Sequence, residues 1–136
     1  MLLGIPLLIF PVIAYNILTF VTEVNWSSEV IALDMVSNVR WAMTTADLFI
    51  ALTLVLLFFE ILKATRTGRG SIVDHALSTL VFIVCLIEFL VVQEAATSVF
   101  FLMTVITLID VVAGYSVTIA SARRDFSVDH YPLGGS

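Results

Sequence analysis

Residues 97–121 form an apolar stretch, Thr97-Ser-Val-Phe-Phe-Leu-Met-Thr-Val-Ile-Thr-Leu-Ile-Asp-Val-Val-Ala-Gly-Tyr-Ser-Val-Thr-Ile-Ala-Ser121, with one carboxylic acid, Asp110, near its middle. A helix rises about 1.5 Å per residue, so this stretch is long enough to cross a hydrocarbon core of about 30 Å. A charged side chain facing lipid at that depth costs at least ~2.5–3.5 kcal/mol. Asp110 is therefore predicted to face other helices or a wet cavity. At helical spacing Thr97, Thr104, Thr107, Asp110, Gly114, Thr118 and Ser121 fall on one side, with Phe101, Leu102, Ile109 and Val112 mostly elsewhere.

Three further apolar runs precede this one, at about 2–22, 41–63 and 75–93. Hydrophobic residues make up 60% of the chain and charged residues 12%, against about 25% charged in ordinary soluble domains. The mean hydropathy is +1.11. The prediction is an all-α membrane protein: a four-transmembrane-helix antiparallel bundle over residues 1–124, with 125–136 as a flexible tail. Met1–Thr22 lacks the basic start and small-residue cleavage site of a secretory signal and is expected to be a retained span. Pro6 lies in its first turns, whereas Pro11 is expected to sit inside it, kink it and free the Leu7 carbonyl.

Basic residues set the predicted orientation. Lys63, Arg66 and Arg69 lie in or beside the link between spans two and three, and Arg123 and Arg124 follow span four. Only Arg40 lies on the other side, so both termini are predicted to be cytoplasmic. The loop 23–40 then lies outside. Ser27 or Ser28 as a cap, Glu29 at the helix dipole and the shared face of Leu33, Val36 and Val39 predict a short interfacial helix there. Trp26 and Trp41 are its expected headgroup anchors. The short turn Glu94-Ala-Ala makes spans three and four a tight hairpin.

Asp47 and Glu88 each fall roughly 8 Å below the outer boundary. Antiparallel packing is expected to be able to bring them together. Glu60 lies three residues before Lys63 and is expected to pair with it or with water. No basic residue lies deep enough in a span to neutralise Asp47, Glu88 or Asp110. Such acids are protonated, bind a cation or meet a basic group on another chain. They serve either as interhelical clamps or as an ion or proton pathway, with Asn16, Tyr115 and Thr107 as further polar groups near them. Gly114, Thr118 and Ser121 are expected to let helices approach closely.

Other chemistries find little support. A net charge of −5 argues against nucleic acid. One cysteine, Cys85, allows neither an intrachain disulfide nor a cysteine metal site. The two histidines do not suit a bis-histidine haem within one bundle, and His75 beside Asp74 is expected to cap span three. No catalytic grouping and no cofactor is predicted. The expected role is a non-catalytic accessory or scaffold subunit, or a homo-oligomer, in a lipid bilayer of bacterial inner-membrane type. The alternative is a small proton- or cation-conducting channel or carrier.

Overall fold

The computed structural model describes residues 4–66 and 71–129, with Ser71, Ser121 and residues 124–129 described as backbone only. The order of elements is α1 (Ile9–Phe20), β1 (Glu29–Asp34), β2 (Arg40–Thr44), α2 (Thr45–Arg66), α3 (Ser71–Val91) and α4 (Ser98–Asp129), with a single 3-10 turn, Gln93–Ala95, before α4. Three helical segments, Thr45–Arg66, Ile72–Val91 and Ser98–Ala120, are long and apolar enough to cross a membrane. α1 is apolar but has 12 residues, fewer than a straight crossing needs.

Pro11 does not interrupt α1. It occupies the first turn, where N–H groups have no partner in the helix, so its ring costs no hydrogen bond. The Leu7 carbonyl is not free either, since it accepts the Phe10 N–H at 3.2 Å. α1 ends where Glu23 turns left-handed (φ 50°) and the Val24 N–H returns to the Leu18 carbonyl.

The loop after α1 is not an interfacial helix. Its residues pair as an antiparallel hairpin, with Asp34 opposite Arg40, Leu33 opposite Trp41, Ala32 opposite Ala42 and Ile31 opposite Met43. Alternation places Ile31, Leu33, Trp41 and Met43 on one face and Ala32, Asp34, Arg40 and Ala42 on the other. Asn38 takes the left-handed conformation (φ 62°) that closes the turn, and its N–H bonds the Met35 carbonyl. Arg40 reaches back along the hairpin to Glu29 at 2.6 Å. The hydrogen bond from Arg40, and then its charge, hold the Glu29 carboxyl below its ordinary pKa. Trp26 is not an isolated side chain. It folds onto the bundle, stacked on Tyr15 with ring centroids 5.0 Å apart.

Span two starts at Thr45, four residues later than the apolar run suggests, because 41–44 belong to β2. Lys63 at the end of α2 meets Asp74 at the start of α3. His75 on α3 meets Thr118 far along α4, and Tyr15 late in α1 meets Thr97 at the head of α4. Consecutive helices thus run antiparallel. α4 is the central element, packed on both α2 and α3.

The core has two parts. Near the hairpin, Val12, Tyr15, Cys85, Ala95, Val99, Phe100 and Met103 are buried, with Trp26 and Phe49 packed against them. Towards the other end, Leu8, Leu57 and Ile106 form a smaller cluster. α4 continues through Asp129, past the boundary at 124.

Candidate functional site

The end of the bundle away from the hairpin is ionic. Glu60 and Lys63, one turn apart on α2, form a pair at 3.1 Å. The Lys63 ammonium also lies 3.4 Å from Asp74 Oδ1 and donates to the Ile5 carbonyl at 2.9 Å. Glu60 Oε2 in turn accepts the Leu7 N–H at 2.9 Å. The side chains of Lys63, Glu60 and Asp74 are only 9%, 4% and 6% exposed. One ammonium thus joins the N-terminal segment, α2 and α3. Asp74 also lies in the first turn of α3, where the helix dipole favours a negative charge.

Asp110 projects from α4 towards this group and is 6% exposed. Glu60, Lys63 and Asp74 lie within electrostatic reach of it, and the Ser78 hydroxyl of α3 is its polar neighbour. Lys63 forms its ion pairs with Glu60 and Asp74, not with Asp110. Among the described residues, no three His, Cys, Asp or Glu side chains are grouped to hold a metal ion.

One turn further along α4, the backbone of Gly114 faces the His75 ring so closely that a Cβ there would stand 2.7 Å from Nδ1. The other ring nitrogen, Nε2, shares a hydrogen bond with the Thr118 hydroxyl. Gly114 and Thr118 are therefore packing positions with a defined partner. Tyr115 is half-exposed, its hydroxyl 3.2 Å from that of Thr79. Ser121 continues the helix, and its side chain lies outside the described residues.

Asp47 and Glu88 take up different roles and, among the described residues, no hydrogen bond joins them. Asp47 closes a capping box at the head of α2: its Oδ2 accepts the Thr44 N–H at 2.9 Å and the Thr44 hydroxyl at 2.8 Å, while its own N–H donates to Thr44 Oγ1. The Thr-x-x-Asp signature was present in the sequence. Glu88 is half-buried beside Asn16 and Cys85. Asn16 donates to the Val12 carbonyl at 3.0 Å. Thr107 is fully buried near Cys85 and donates to the Thr104 carbonyl.

Sequence spacing found the Glu60–Lys63 pair and the buried Asp110. It missed Asp74 and the inward course of Lys63, since an acid and a base at span ends ordinarily reach water. Comparisons with protein-family models, curated proteins and solved structures gave no match.

Proposed function

We propose that the chain is a non-catalytic integral membrane protein that works within an assembly, either with other subunits or with copies of itself. Its buried ion pairs act as interhelical clamps. The observation that carries this reading is α2. Only 17% of its apolar window is buried within the chain, against 44% for α4. Its outer face, Leu52, Val55, Phe58, Phe59 and Leu62, is exposed. Beside that face, Ala46, Asp47, Ile50, Ala51, Leu54, Ser98, Val99 and Leu102 line an open groove of about 330 Å³ between α2 and α4. Small residues there allow the close approach by which helices associate in lipid.

In this reading α1 together with the N-terminal segment crosses the bilayer as a fourth span, and both termini and the α2–α3 link are cytoplasmic. Lys63, Arg66, Arg69, Arg123 and Arg124 lie on that side and Arg40 on the other, the bias of a bacterial inner-membrane protein. The test is the mass and composition of the particle extracted from native membranes in mild detergent. Fixed multiples of the 14.9 kDa chain, or a fixed ratio to other polypeptides, are expected. A particle containing one copy and nothing else would overturn the reading.

A second reading, a small proton- or cation-conducting channel or carrier, is favoured by the polar interior: Asp110, Ser78, Thr104 and Thr107 are all buried. Ion flux into liposomes decides it. Equal flux with wild-type chain and with Asp110→Asn would remove this reading, because Asn does not titrate.

A further inference from the structure

The ionic end carries an imbalance of charge. Glu60 and Lys63 come from α2, Asp74 and His75 from α3, and Asp110 from α4. The N-terminal segment and α1 supply backbone groups at this level and, among the described residues, no charged side chain. Three carboxylates thus face one ammonium where each acid is at most 6% exposed. Uncompensated negative charge is costly in such a place and is relieved by a counter-ion or by a proton.

The acids are not equivalent. Glu60 has the Lys63 ammonium and the Leu7 N–H. Asp74 has Lys63 and the first turn of α3. Asp110 has neither: among the described residues it forms no ion pair, and its polar neighbour is a hydroxyl, which donates to a carboxylate or accepts from a carboxylic acid equally well. Among the described residues, these acids are not grouped as metal ligands.

We propose that Asp110 is a proton-binding site, holding a proton on its carboxyl group at neutral pH, while Glu60 and Asp74 keep the Lys63 ammonium as their partner. The site differs from a simple clamp in that its occupancy responds to pH. Uptake adds one proton to one Asp110 carboxylate oxygen and raises the charge of the group by one. Ser78 is placed to accept a hydrogen bond from the acid form. The inference goes beyond the assembly reading and holds whether or not the chain conducts.

Infrared spectroscopy of the whole chain in lipid tests it, because a carboxylic acid and a carboxylate absorb apart. The wild type is expected to show a protonated-carboxyl band at neutral pH that shifts when aspartate is carbon-13 labelled and is missing in Asp110→Asn. Glu88→Gln, outside the group, is expected to leave that band in place. A wild-type spectrum with no label-sensitive acid band would overturn the proposal, and so would a band that survives in folded Asp110→Asn. The labelling result needs no variant, so a misfolded substitution does not obscure it. Liposome flux is a separate readout: failure of conduction leaves the proton site standing.

Discussion

The two ends of the bundle are held by different physics. At the hairpin end Tyr15 stacks on Trp26 and meets Phe100 edge-on at 4.8 Å, while Trp26 meets Phe49 at 5.2 Å. The Tyr15 hydroxyl bonds the Glu94 carbonyl and the Thr97 hydroxyl, so one side chain ties α1 to the α3–α4 turn. At the other end Lys63 ties the N-terminal segment, α2 and α3 through charge. In the membrane setting proposed above, burying aromatic rings gains little from leaving water, so the first end depends on close packing. The second depends on charges that are expensive to bury alone and tolerable together. Packing degrades gradually when a side chain is trimmed, whereas a charge group fails when one member is lost.

The sharpest way to break this contrast is Lys63→Met. It strands Glu60 and Asp74 and is expected to cost about 3–5 kcal/mol, seen as a lower midpoint of thermal unfolding in detergent. Adding Glu60→Gln and Asp74→Asn should restore most of the loss. A single variant as stable as wild type would show that the ionic end holds nothing. Phe100→Ala, fully buried at the other end, should cost about 3 kcal/mol, the low side of core deletions because the transfer term is weak in the membrane setting proposed above. No compensating charge change should rescue it.

Gly114→Ala brings a Cβ against His75. A clash of about 1–3 kcal/mol is partly offset by roughly 1 kcal/mol of helix propensity. A net loss near 1 kcal/mol is expected, relieved by His75→Ser; a stabilised Gly114→Ala would mean that the ring moves freely. The smallest effect belongs to the hairpin, outside both ends. Glu29 is held below its ordinary value of 4.5 by Arg40. The stabilisation is therefore full above the unfolded value and is lost as pH falls through the lower folded value. A melting series at falling pH should show a slight drop in wild type that Arg40→Ala lacks; both groups are exposed, so salt should erase the difference.

Much of the ionic end was legible in the sequence. The i,i+3 spacing of Glu60 and Lys63 and the depth of Asp110 needed only helical geometry. Asp74 and His75 were less so, because which way a residue at a helix start turns depends on its neighbours across the bundle. The hairpin was misread for a definite reason: Leu33, Val36 and Val39 satisfy a helical repeat, while Ile31, Leu33, Trp41 and Met43 satisfy a strand alternation equally well. Asn38, able to turn left-handed, favoured the strand. Depth and the face shared with Thr44 and Ala51 point Asp47 into the bundle, whereas the Thr44–Asp47 spacing of three is that of a helix cap.

The latch on the N-terminal segment has a consequence for biosynthesis. Leu7 and Ile5 lie 53 and 58 residues ahead of the Glu60 and Lys63 groups that hold them. The first helix is therefore made with its latch open, and closure waits until α2 has been made. Chain arrest after residue 40 would leave α1 unfastened, and a quality-control protease would meet it in that state.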